Sequence, residues 1–225
     1  MDKVFKWMVG ILLIVLTGTF LFVRFFLNPF VKNQIISSIR SNSSGLYNLE
    51  IGELKANFWT GSVSMTNVHL KQDSAVYRKL LQQYSDKSLA KVDVKFQKVK
   101  VSRIHWINYL RKNDLEVGRV YLKEPDFHIY GNSRKVIDPS RRTEQDFIQM
   151  IPGIIAGFAG SLKIERVVVD NGKMHYDLES PAGVVHQIAD SIMVDLKKIL
   201  IDSTPPYNTL FSEKAEFAIK NYSIT

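Results

Sequence analysis

The 225-residue sequence contains no cysteine. That absence excludes a disulfide framework, an iron–sulfur cluster, a thiolate zinc site and every mechanism that needs a cysteine nucleophile. It fits an oxidising compartment. Catalytic signatures are as scarce: there is no Gly-x-Ser-x-Gly elbow, no Gly-x-x-x-x-Gly-Lys phosphate loop, no dinucleotide fingerprint and no His-Glu-x-x-His helix. The histidines, His69, His105, His128, His175 and His186, are scattered without a metal-ligand pair at short spacing and read as polar or interfacial strand residues. Glu124 and Asp126 flank Pro125, which reads as a turn with solvated acids. The expectation is a protein with no catalytic residue, no cofactor and no metal.

The charge that is present lies in one place. Of a net charge of +8, the segment Lys71 to Lys112 carries eleven Lys/Arg against Asp73, Asp86 and Asp93, whereas Asn113 to Thr225 carries thirteen against sixteen acids. Aromatics sit among these cations, a composition that also suits nucleic acid. Lys91, Asp93, Lys95, Lys98 and Lys100, however, fall between apolar residues, in the phase of a solvated strand face. The sharper reading is a cationic face near anionic lipid headgroups; nucleic acid is not expected as a partner.

The N-terminus carries the strongest signal. Trp7 to Val23 runs without a charge or a proline, and continuing to Leu27 gives 21 residues, roughly 31 Å of helix and enough to cross a bilayer core. Arg24 is placed to snorkel, Trp7 sits where an interfacial aromatic belongs, and Lys3 and Lys6 favour a cytoplasmic N-terminus. The competing reading, a cleaved signal peptide, needs a shorter apolar region and a small-residue cleavage site, yet the first alanine is Ala56. Residues 1–27 are thus expected to form a cytoplasmic tip and single-pass anchor. Residues 28–45 would form a membrane-proximal helix and linker, with helical spacing from Phe30 to Arg40 after Asn28-Pro29.

From Leu49 the spacing changes. Apolar residues recur at offsets of two, three and two: Leu49, Ile51, Leu54, Ala56; then Val63, Met65, Val68, Leu70; then Leu115, Val117, Val120, Leu122; then Leu162, Ile164, Val167, Val169; then Phe217, Ile219, Tyr222, Ile224. Val92 to Val101 and Ile192 to Ile201 carry longer versions. On a helix these offsets point to no single face, whereas a strand with one β-bulge keeps them on one face. Bulges in many strands predict a strongly curved sheet rather than a flat sandwich. Leu115-Glu-Val-Gly-Arg-Val and Leu162-Lys-Ile-Glu-Arg-Val match, and each runs on through Pro125 or Gly172 to Phe127-His128 or Met174-His175, which predicts copies of a hairpin-like unit. Two insertions, Ser74 to Lys87 and Thr143 to Ile151, read as helices packing across a sheet. The fold class is therefore mainly β: a transmembrane helix, then a curved, bulged antiparallel sheet over 46–225 with short helical insertions.

The anchor, Asn28-Pro29, Gly45, Leu49-Glu50-Ile51-Gly52-Glu53-Leu54, Trp59, Gly61-Ser62-Val63, Met65, Asn67-Val68 and Leu70, followed by Arg103-Ile-His-Trp, Leu115-Glu-Val-Gly-Arg-Val and Pro125-Asp-Phe-His-Ile, resemble the start of AsmA-like envelope proteins. The resemblance covers nearly the whole chain and rests on degenerate patterns. It implies a bacterial inner-membrane anchor carrying a periplasmic β-groove, related to chorein-type bridge-like lipid transfer proteins, with phospholipid as partner and phospholipid movement or envelope homeostasis as function. Members are generally much longer, and this chain ends within a strand pattern at Tyr222-Ser-Ile-Thr225, so the groove domain is expected to continue beyond it. Candidate acyl-chain lining residues are Val92, Val94, Phe96, Leu115, Val117, Ile164, Val167, Ile192 and Val194. The runner-up is a noncatalytic scaffold with envelope protein partners, assisting envelope or outer-membrane protein assembly through an open strand edge. An enzyme on a β scaffold is the third reading.

Overall fold

The computed structural model of the chain describes residues 28–57, 59–83, 91–105, 111–112, 114–132, 161–180, 183–202 and 209–225. Helix α1 (Asn28–Asn42) leads into strands β1 (Tyr47–Asn57) and β2 (Ser62–Gln72), and helix α2 (Ser74–Gln83) follows. Strands β3 (Lys91–Ile104), β4 (Asp114–Asn132), β5 (Ser161–Ser180), β6 (Gly183–Asp202), β7 (Thr209–Ala218) and β8 (Asn221–Ile224) complete the order. They form one open, curved sheet in the order β1-β2-β3-β4-β5-β6-β7, with β8 paired to β6. The expected span at 7–27 and the segment Thr143 to Gly160 lie outside the described residues. Among the described residues no helix is long and apolar enough to cross a membrane.

The two-three-two spacing has a collective cause. In-register pairs skip Gly52 and Asn67 between β1 and β2, Asn67 and Gln97 between β2 and β3, and Gln97 and Glu124 between β3 and β4. A second line skips Arg103 and Gly118, then Gly118 and Glu165, then Glu165 and Lys198, then Lys198 and Glu213. In each of these pairs the extra residue is matched by one on its neighbour, so the register is kept while both strands change phase together; between β5 and β6 the first crease instead carries register shifts at Val169/Gly172 and Gly172/Met174. The sheet is crossed by two creases, not by isolated bulges. Asn67, Glu124, Asn171 and Ser191 on the first crease, and Arg103 and Lys198 on the second, have positive φ, the left-handed region that non-glycine residues visit at a cost.

At the second crease Arg103 reaches over Gly118 to Glu165, Nη2 to Oε2 2.9 Å. A Cβ at residue 118 would lie 2.8 Å from Arg103 Cβ and 2.3 Å from its Nε, so only glycine leaves room for this side chain to span from β3 to β5.

Four expectations are corrected. The sheet is not wholly antiparallel: β4 and β5 are parallel, in a register that sets Leu115 against Leu162, Val117 against Ile164, Arg119 against Arg166 and His128 against His175. Parallel neighbours require a crossover of a dozen or more residues, and 133–160 supply that length. The repeat is therefore a single long strand laid beside its copy, not a hairpin. Pro125 and Gly172 are buried inside β4 and β5 at the first crease, where a proline is tolerated because the pairing of β4 with β5 skips residues 124 and 125. Helix α2 sits at the end of β2 rather than across the sheet, started by Asp73 Oδ1, which accepts hydrogen bonds from the Ala75 and Val76 N–H groups.

The core lies on one sheet face, where Leu49, Leu54, Val99, Val117, Ile164 and Ile199 belong to one buried cluster. Val31, Ile35, Ile36 and Ile39 of α1 pack against it. Asn28 Oδ1 accepts from the Ala56 N–H and Lys32 Nζ donates to the Gly52 carbonyl, which fastens α1 along the edge strand β1.

Candidate functional site

Register rows define the two faces. One row runs Leu54, Met65, Val99, Leu122, Val169, Val194, Phe217, and another Leu49, Leu70, Val94, Phe127, Met174, Ala189, Tyr222. Both are apolar from the first strand to the last. The intervening rows are largely polar, such as Lys55, Ser64, Lys100, Tyr121, Val168, Asp195 and Glu216.

All nine candidate lining residues stand on the apolar face by register. They divide by burial. Val94, Val117 and Ile164 are buried core, whereas Val92, Phe96, Leu115, Val167, Ile192 and Val194 are half-buried and offer surface to a ligand. The far edge of the same face is more open: Phe217 is 69% exposed, Tyr222 56% and Ile224 58%. These three extend the apolar face onto β7 and β8, although their spacing alone does not reveal that β6 is the outermost strand covered by neighbours on both sides.

The opposite face holds the charges, including the lysines of β3. Arg119, Arg166, Lys197 and Lys214 form a cross-strand row of like charge, which is unfavourable unless interleaved with acids. Arg166 donates through Nε and Nη2 to the Asp195 carboxylate at 2.8 and 2.5 Å, and Lys214 pairs with Glu216. The Arg166 hydrogen bond and charge hold the Asp195 carboxyl below its ordinary range, and the Asp195 bond raises Arg166 in turn. Tyr121 donates its hydroxyl to Asp170 Oδ2 at 2.6 Å, and that bond raises the phenol.

Histidines read singly in the sequence are paired with acids here. His69 Nε2 lies 2.8 Å from Asp93 Oδ1, His186 Nδ1 2.7 Å from Asp177 Oδ1, and His105 Nδ1 3.3 Å from Glu116 Oε2. His128 and His175 stack against each other with Asp126 between their Nε2 atoms. Asp126 is therefore not a solvated turn acid. The signal available in the sequence was Asp126-Phe-His128, two residues apart on a strand and hence on one face, together with the repeat partner His175.

A scan against models of known protein families finds no match, and a search among curated proteins finds none either.

Proposed function

We propose that this chain is a membrane-anchored periplasmic β-groove protein of the AsmA-like type, holding phospholipid acyl chains along the apolar sheet face for lipid transport or envelope homeostasis. The observation that carries the reading is the continuity of apolar rows across the whole sheet, with Phe217, Tyr222 and Ile224 still exposed at the far edge. Burying acyl methylenes there removes apolar surface from water on both partners. The headgroup remains in water, so a lipid slides along the rows without crossing a polar barrier. No chemical step is required of any residue.

The proposed anchor enters at the opposite edge, beside β1. Asn28, which follows the 1–27 segment, is tied to Ala56, and the β1–β2 tip beyond Ala56 carries Trp59 at 91% exposure. An exposed tryptophan beside a membrane segment belongs at the headgroup level.

The test replaces half-buried lining residues. Phe96→Asp combined with Val194→Asp should lower co-purifying phospholipid at least about tenfold, since a loss of about 1.4 kcal/mol suffices for that. Met193→Asp, on the opposite face, should leave occupancy unchanged. Unaltered occupancy in a folded double variant would sink the proposed lining. The scaffold reading rests on a different observation: β7 pairs with β6 alone among the described strands, an open edge suited to strand addition. It predicts lipid-free protein that retains an extended envelope polypeptide.

A further inference from the structure

Three potential metal ligands converge on the polar face at the β4–β5 pair. Asp126 and His128 alternate along β4, and the parallel register sets His175 of β5 directly opposite His128. The two imidazoles are stacked, with centroids 4.4 Å apart and planes 8° from parallel. Asp126 Oδ1 lies 3.1 Å from His128 Nε2 and 3.7 Å from His175 Nε2. One ligand atom from each side chain falls within 4.8 Å of the others. Asp126 Oδ1 is sealed from solvent and has no hydrogen-bond partner, a costly state for a carboxylate oxygen.

We propose that Asp126, His128 and His175 bind one divalent transition-metal ion, with zinc as the reference case, through Asp126 Oδ1 and the two Nε2 atoms. Bonds of about 2.0–2.2 Å in a tetrahedron put ligand atoms about 3.3 Å apart, close to the two carboxylate–imidazole distances; because a metal–imidazole bond lies in the ring plane, the two stacked rings must rotate out of parallel when the ion binds. Two imidazoles and one carboxylate, with no thiolate, suit zinc, nickel or copper rather than calcium or magnesium, which take oxygen ligands. A cation between the three atoms also relieves the orphaned Oδ1. Three protein ligands leave a fourth position for water or an anion.

The surroundings bound the affinity. Lys95 and Lys173 are the register partners of Asp126, and Asp93 is that of His128, with Asp93 engaged by His69. Two nearby lysines oppose an incoming cation, so micromolar rather than picomolar binding is expected. The ion would join the two copies of the repeat next to the first crease, where Glu124 and Asn171 both carry positive φ.

The full chain, purified in mild detergent and stripped by a chelator, is titrated with zinc by calorimetry. One ion per chain is expected, weakened at least about tenfold in His128→Gln and in His175→Gln, and unchanged in His186→Gln. A substitution-free measurement guards against misfolded variants: zinc should protect His128 and His175, but not His186, from diethyl pyrocarbonate, read peptide by peptide by mass spectrometry. The proposal is overturned if no stoichiometric binding occurs, if binding survives both substitutions, or if zinc leaves His128 and His175 unprotected.

Discussion

Asn67 is asparagine where strand propensity alone would favour valine or threonine. Its φ of 50° explains the choice, because asparagine enters the left-handed region more readily than β-branched residues do. Asn67→Val should therefore lower stability by about 1–2 kcal/mol despite the better propensity, read from the midpoint of chemical unfolding; a stabilised variant would contradict the crease. Gly118 tests the second crease. Gly118→Ala forces Arg103 off Glu165 and should cost about 1–3 kcal/mol. Most of that cost should vanish when Arg103→Gly is combined with it, because the atoms a Cβ would meet all belong to Arg103. Additive losses would mean that the clash is not the cause.

At the scale of elements, an edge strand exposes unpaired backbone groups unless something covers it. Helix α1 does this for β1 through Val31, Ile35, Ile36 and Ile39, while Gly45 at φ 79° ends the helical turn, its N–H donating to the Arg40 carbonyl at 2.7 Å. Ile35→Asp together with Ile39→Asp should detach the helix, cost roughly 1–3 kcal/mol, and speed hydrogen exchange of the β1 amides. Unchanged β1 protection would show that α1 is dispensable for the edge. Helix α1 was legible because helical spacing followed Asn28-Pro29, and the strands were legible because one phase slip in each left apolar residues at offsets that no helix accommodates. Strand pairing was not legible. The match between Leu115 to Val120 and Leu162 to Val167 indicates that two segments are alike, but says nothing about whether they run side by side in one direction; the length of the connection, 133–160, was the clue that permitted it. Pro125 likewise misled, since a proline after Glu124 reads as a turn unless a crease is known to pass through it.

At the scale of the whole molecule, the creases let the strands change phase together and share one apolar face, with the register shifting between β5 and β6 at the first crease, which is why all nine predicted lining residues stand on the same side. What the sequence did not disclose was their unequal burial: whether Val94 is core and Phe96 half-open depends on the neighbours that other strands set beside them, such as Leu70 and Phe127 around Val94, not on local pattern. The polar His128–Asp126–His175 cluster was hidden for the same reason, since its members are 47 residues apart in the repeat and meet only through the parallel pairing. The proposed role of this face is to carry lipid. Native mass spectrometry of Asn28–Thr225, which retains α1 on the core, after export to a bacterial periplasm tests it most directly. Bound phospholipid masses are expected, and they should disappear in the Phe96→Asp, Val194→Asp variant; a folded, lipid-free wild-type protein would contradict the lipid-groove proposal.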